Sequence, residues 1–597
     1  MTTIQIPSSE THKYVKPSSG EIFGSLWHTK NIDLVSNPGK IKLSKRAYSA
    51  FDSADDTDFD VPVAFKRTNA DGTDRWWALT QANTTSTSDG LLWKSTNTNP
   101  STGWAQDAIA STPTDAVDNM VIFGKVTTDQ LYVARDTDLS ELQNGAWVAD
   151  WWTNASHLNQ AALTATNTHY IYPFLNLLLV PDGRSLHTID DSEVVTASRI
   201  QLPNEYQILW IHDDGIRSYI GARQIRGGVG LVFPWDGTSE KYDEPIEVFS
   251  DATMAGVALN GVMHTINNKG QLLKFNGNAF EEVAHLPIFE TIYGWTNDLT
   301  ISNTKMVNPN GMSIVNGRIN ILVSGAIEGT NQDSLENMPS GVWEYEPEIG
   351  LYNRYSLGQY NTASNNAWGA HSINYVGALT ETNKLQGTFL AGADVWTGNA
   401  TKFTGIFVEQ QSATNRGSFI TSQIYAADLS SFWSRLKLAF REFETSTDRI
   451  VVKYRVKKNA NFEDTPSNQR SAVTWSSTTV FTTTDAFFAN VAANDEVEVI
   501  RGDADGAIAH VSSISLGGST YTVTLDEAIP NVAASDTSDV RVQNWKKLGT
   551  ISDTAINKKL YTIGKSAPWI QFKIELRGND VTPEIDKLLV EFETRGK

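Results

Sequence analysis

The amino-acid sequence predicts an all-β protein: a β-propeller of about seven blades, followed by an antiparallel β-sandwich with a small β-barrel inserted into it. Three observations predict it. The polar filler is mainly Ser, Thr, Asn and Asp, and charged residues make up only 19% of the chain. Such side chains compete with the backbone for hydrogen bonds and disfavour helix interiors, whereas Thr suits strands and Asn, Asp and Gly suit turns. A degenerate unit of strand, polar turn and strand recurs between about residues 60 and 410, at roughly the 40–60-residue spacing of a four-stranded blade. Beyond Asn415 the strands lengthen and alternate apolar with polar residues.

The first unit joins Val61–Phe65 to Arg75–Leu79 and Gly90–Trp93, and the second joins Met120–Gly124 to Gln130–Val133 and Gly145–Trp147. A third starts near residue 170. The next runs from Ile208–Ile211 through Ser218–Gly221 to Gly230–Gly237. Gly256–Ile266 is the clearest copy, with Asn267–Gly277 and Phe280–Val283 behind it; its Asn-Gly pairs are strong hairpin signals. Met312–Val323 leads to Gly341–Tyr345 and Leu351–Tyr355. Ile373 leads through Gly387–Ala391 to Trp396. A stack of sandwiches is the structural alternative, but Gly-paired hairpins at this spacing favour stacked blades closed in a ring. Residues 1–50 read as an arm leading into the propeller at 51–414, and the need to join first and last blades suggests that this arm closes the ring.

In the sandwich, at 415–470 and 547–597, Trp569–Arg577 places Ile570, Phe572, Ile574 and Leu576 on one face and Gln571, Lys573, Glu575 and Arg577 on the other. One buried and one wet face is expected of such a strand. Leu436–Phe440, Ile450–Val456 and Leu588–Phe592 belong to the same series. Between them lies an acidic segment, 471–546, with three Lys/Arg against ten Asp/Glu; its flanks 430–470 and 547–597 carry nine against five and nine against seven. Its short strands Asp495–Ile500 and Thr520–Leu525, separated by Gly506 and Gly517-Gly518, read as the inserted barrel.

Composition also excludes. With no cysteine there is no thiol nucleophile, Cys-ligated zinc or disulfide scaffold. A net charge of −20 opposes sequence-specific nucleic-acid binding, so DNA is expected at most to pass through a channel. Met1 to Lys16 lacks the apolar run of a signal peptide, and Tyr170–Val180, broken by Pro173, is too short to span a membrane. The 18 Trp are read as core fillers, with a sugar- or partner-binding surface as the alternative.

No phosphate-binding loop, dinucleotide fingerprint, nucleophile elbow or zinc-protease motif occurs. His264 and His371 lie in strand-like runs and read as core or channel-lining residues. Asp52, Asp55, Asp56, Asp58 and Asp60 could ligate calcium but read as a solvated loop. Asp503, Asp505 and Gly506 resemble the opening of a calcium loop, yet Ile514 stands where the bidentate Glu would be needed. Ser86–Trp93 approaches a sialidase Asp-box and fails at Ser88. The sequence therefore assigns no catalytic, cofactor-binding or metal-ligating residue, and predicts a protein that is not an enzyme and uses no cofactor.

Four stretches resemble components of tailed-phage tails, of the tail-tip or nozzle type. They are Leu26–Leu34 with Pro38–Ser44, Gly341–Ser356, Gly502–Ser512 and Thr582–Leu588. The resemblance touches all three modules and supplies no catalytic residue. It implies a virion structural protein made in the host cytoplasm, which acts by assembly with other tail proteins, as a homo-oligomer or ring. A host-surface glycan-binding module is the alternative reading, and a polysaccharide-degrading propeller a third.

Overall fold

The computed structural model describes residues 2–6, 26–36, 40–52, 62–80, 92–96, 98, 104–107, 117–124, 130–135, 137–248, 250, 252–286, 307–323, 341–356, 370–375, 389–397, 401–413, 416–421, 424–425, 431–456, 470–501, 507–530, 532–578 and 582–593. Seven four-stranded antiparallel sheets follow one another along the chain. Their inner strands are Pro62–Thr68, Val117–Ile122, Tyr172–Phe174, Tyr206–Asp213, Thr253–Leu259, Met312–Val315 and Ala370–Tyr375. This is a seven-bladed propeller, with the units where the sequence places them.

Local chemistry explains the hairpins. Leu259 pairs with Val262, so Asn260 and Gly261 alone make the turn, at φ 52° and 73°. Two successive positive φ values suit the right-handed twist of the flanking strands, and Asn-Gly is the pair that reaches them most easily. The same pair turns the chain at Asn144-Gly145 and Asn316-Gly317.

The first six blades bury their faces against one another. Between the fifth and sixth, Met254, Val257, Leu259 and Ile266 pack with Ile319, Ile321, Trp343 and Tyr345. Of the fourteen tryptophans with described side chains, thirteen are buried, so these rings are core rather than a sugar-stacking surface. Trp210 shows how tightly: its indole lies over Gly221 of its own blade and Gly256 of the next, and its Nε1–H donates to Thr253 Oγ1 at 3.0 Å.

The seventh blade takes its outer strand from the other end of the sequence. Lys45–Asp52 pairs antiparallel with Thr401–Ala413, with Asp52 opposite Gly405 and Tyr48 opposite Val408. Only this last piece of the 1–50 arm serves the propeller. Thr2–Ile6 and Ile41–Leu43 instead pair with Glu584–Glu593, and Leu26–Lys30 pairs with Arg416–Thr421. The cause is apolar: Leu26, Ile32, Leu34, Ile41 and Leu43 enter the sandwich core beside Trp433, Phe572, Ile574 and Val590.

The sandwich faces a sheet built on Phe432–Phe440, Lys558–Ser566 and Glu584–Glu593 against one built on Arg416–Thr421, Arg449–Val456 and Trp569–Arg577. The long strand Thr537–Ile551 belongs to two structures. Its end pairs with Arg449–Val456, while its start pairs with both Arg470–Ser477 and Asp495–Arg501. Val480–Thr483, Thr520–Leu525 and Ile508–Gly517 complete a closed ring of six strands around Trp475, Phe481, Phe488, Val497 and Val540.

One expectation is corrected here. The polar face of Trp569–Arg577 is not wet: Gln571, Lys573 and Glu575 are all buried. A buried charge is tolerated only when paired, and the neighbouring strands supply those partners, as described below.

Candidate functional site

The inner strands leave a cavity of about 390 Å³ on the propeller axis, lined by residues of the first six blades. Its polar lining divides into two sets. The first is self-satisfied. Tyr170 Oη donates to Asn310 Oδ1 at 2.7 Å, Asn310 Nδ2 to Asn119 Oδ1 at 2.9 Å, and Asn119 Nδ2 to the Ile171 carbonyl at 2.7 Å. This chain joins the second, third and sixth blades across the axis. Tyr172 Oη donates to Asp213 Oδ2 at 2.7 Å, and Asp213 Oδ1 accepts from the Gly215 N–H at 2.7 Å, so both carboxylate oxygens are engaged.

The second set is Lys66, His212 and Ser313. His212 Nδ1 lies 2.9 Å from both the N–H and the carbonyl oxygen of Asp213, and the Tyr172 ring, 5.3 Å away, holds the imidazole in position. Burial lowers the His212 pKa, contact with Asp213 opposes this, and the charge of Lys66 adds to the lowering. Burial alone pushes the Lys66 ammonium below the ordinary lysine value. Neither Lys66 Nζ, His212 Nε2 nor Ser313 Oγ has a hydrogen-bond partner among the described residues. Sequence reading missed Lys66 and His212 because each stands one position past an apolar run, Val61–Phe65 and Ile208–Ile211.

The sandwich–barrel junction is a second concentration of charge. Lys453, fully buried, contacts Glu496 of the barrel and lies 3.0 Å from Glu575 of the sandwich. Lys573 Nζ is 2.5 Å from Glu496, and Glu575 also meets Arg416 and, at 2.9 Å, Arg577. Burial raises the Glu496 carboxyl, but Lys453 and Lys573 outweigh it and hold the group at about 2. Glu575 is likewise held well below the carboxylate range, against its own burial, by Arg416, Lys453 and Arg577. His510 sits beside this cluster, 3.5 Å from Asp526, and burial lowers its pKa.

A third polar joint ties propeller to sandwich. The Asn353 N–H donates to Thr29 Oγ1 at 2.8 Å, and the Asn31 N–H to Asn353 Oδ1 at 3.1 Å. Tyr352 reaches the sandwich core, while its hydroxyl and Arg354 both contact Glu344 at 2.5 Å.

The residues singled out from sequence do not converge. His264 is buried, with Nδ1 2.8 Å from the Val262 carbonyl and its ring facing Tyr345, as a core histidine would be. The His371 side chain lies outside the described residues, as do Asp55, Asp56, Asp58, Asp60, Ser86–Gly90, Asp503, Asp505 and Gly506. Asp52 is described only through its backbone in the closing strand. Among the described residues, no three His, Asp or Glu side chains are grouped to hold a metal ion. Nor is any helix long and apolar enough to cross a membrane.

No protein-family model matches the chain, and no curated protein matches it. Solved structures are similar to it at low identity. The extracellular domain of a hybrid two-component system of B. thetaiotaomicron aligns over 74% of this chain at 10% identity and TM-score 0.37; this chain spans only 45% of it. A streptogramin B lyase aligns over 59% of this chain and 95% of its own length, at 9% identity and TM-score 0.36. The Dos1 propeller aligns over 65% of this chain and 91% of its own, at 12% identity and TM-score 0.32.

Proposed function

We propose that the chain is a structural protein of a tailed-phage virion, part of the tail tip or adsorption apparatus, which acts by assembly rather than catalysis. One observation carries the reading. Three of the four stretches that resemble phage tail components meet at a single joint. Thr29 and Asn31, from the first, bond to Asn353 of the second, and Ile41 and Lys42 pair with Ile585 and Glu584 of the fourth. The likeness is thus concentrated where propeller and sandwich are locked together.

The construction supports it. The first 52 residues contribute strands to both the sandwich and the last blade, so neither module is complete without the other's sequence neighbourhood. Closed rings also protect sheet edges from unwanted pairing, a requirement for a particle that persists outside a cell. On this reading the partners are other tail proteins and further copies of the chain, and the protein is made in the host cytoplasm before incorporation into the tail.

Mass spectrometry of density-banded particles from the source, with electron cryo-microscopy of the same sample, tests the proposal. Stoichiometric chain at the tail is expected. Its absence from every particle would end this reading.

A further inference from the structure

We infer that the axial cavity of the propeller is a binding site for a small organic anion, a carboxylate- or phosphate-bearing molecule, seated on Lys66, His212 and Ser313. The cavity's volume, about 390 Å³, is within the range of pockets that enclose small molecules. Its lining is asymmetric in hydrogen-bonding character. The side-chain amide oxygens of the wall are already used, Asn310 Oδ1 by Tyr170 and Asn119 Oδ1 by Asn310, and the oxygens of the neighbouring Asp213 are engaged by Tyr172 and Gly215. What remains is an ammonium, the second nitrogen of an imidazole held by the Asp213 backbone, and a hydroxyl. A wall that offers an ammonium and a hydroxyl and carries no carboxylate is complementary to an anion.

The rest of the lining fits an organic body rather than a bare ion. Phe65, Val121, Tyr172, Pro173, Val257 and Ile314 surround the polar groups with apolar surface. Pockets that bind small molecules combine such walls with a few placed polar groups. The Asn119–Asn310–Tyr170 chain holds three blades in register around the site, so the donors are fixed before a ligand arrives. Pre-organisation of this kind lowers the cost of binding.

Isothermal titration calorimetry of the full chain tests the assignment, with glucuronate and inorganic phosphate as anionic probes and glucose as the neutral control. Saturable binding of at least one anion, near one per chain, is expected, with none for glucose. Lys66→Met should weaken it about tenfold or more, the usual cost of losing a charged hydrogen-bond partner, while Lys66→Arg should stay within about threefold. A second measurement needs no variant: acetylation of Lys66 in the wild-type chain, read by peptide mass spectrometry, should slow when the bound anion is present and not with glucose. Binding of phosphate alone would place an inorganic phosphate or phosphoester in the site, and binding of glucuronate alone a carboxylate; either supports the assignment. No saturable anion binding, equal binding of glucose, or anion binding with Lys66 acetylation unchanged would overturn it.

Discussion

Replacing Lys453 with Met tests whether the charged junction holds barrel and sandwich together. The Lys453 side chain is fully buried and contacts one carboxylate from each module, Glu496 and Glu575. Methionine keeps the length of the stem but removes the charge. Breaking a buried ion pair costs about 3–5 kcal/mol because a charge is left uncompensated. Here Lys573 still reaches Glu496, and Arg416 and Arg577 still reach Glu575, so the low end, about 3 kcal/mol, is expected. For a unit of this size that corresponds to a fall in melting temperature of about 6–12 °C.

Urea and thermal denaturation, followed by circular dichroism, would measure it. The same network predicts an acid limb. Glu496 is depressed from the ordinary 4.5 to about 2, so its contribution is present above pH 4.5 and is lost as pH falls towards 2. Lys453→Met should move that loss to higher pH. Adding Glu496→Gln to Lys453→Met removes a buried carboxylate that has lost one of its two cations and should recover about 1 kcal/mol or more, a coupling that a double-mutant cycle isolates. A Lys453→Met cost below about 1 kcal/mol, or strict additivity of the two changes, would refute the claim that the junction is electrostatically locked.

Three further outcomes are expected. Gly256→Ala would drive a methyl group into the Trp210 indole and Met263, an overpacking that should cost about 1–3 kcal/mol and alter tryptophan fluorescence; unchanged melting would show that the two blades can separate freely. Glu141 is buried beneath Tyr132 and Gln130, and burial raises its pKa to about 7. The folded state therefore keeps a proton that the unfolded chain has lost, so stability should fall as pH rises from about 4.5 to 7, and Glu141→Gln should flatten that slope in pH-dependent melts. Deleting residues 1–44 removes strands from the sandwich but leaves Lys45–Asp52 in place, whereas deleting 1–52 also opens the ring. Limited proteolysis should find the propeller resistant in the first and cut within the seventh blade in the second.

The blades were legible because each carries its own local signals. Asn260-Gly261 and Asn316-Gly317 announce a turn whatever surrounds them, and the runs on either side have nowhere to go but a hairpin. The arm was harder. Ile41–Leu43 and Lys45–Asp52 are adjacent in sequence yet belong to different modules, and nothing within either run says which distant strand it will meet. The polar face of Trp569–Arg577 misled for the same reason. Alternation reveals that two faces differ, but not that the second is covered by Glu496 and Lys453 from elsewhere in the chain. The cavity followed this pattern: Lys66 and His212 are unremarkable singly, and only closure of the ring brings them to a common axis.

The strand that closes the propeller also sets an order of events during synthesis. Asp52 leaves the ribosome about 350 residues ahead of Gly405, its partner, an interval of roughly 20–70 s at ordinary translation rates. Throughout that time the six intervening blades can form hairpin by hairpin, but the ring stays open, the first and sixth blades each leave one face uncovered, and Lys45–Asp52 stays unpaired. The same wait, and a longer one, applies to Thr2–Ile6, whose partner strand is Glu584–Glu593. Closure of both modules is therefore a long-range step, and Thr2–Ile6 and Lys45–Asp52 must be kept from pairing with another copy until their own partner strands arrive.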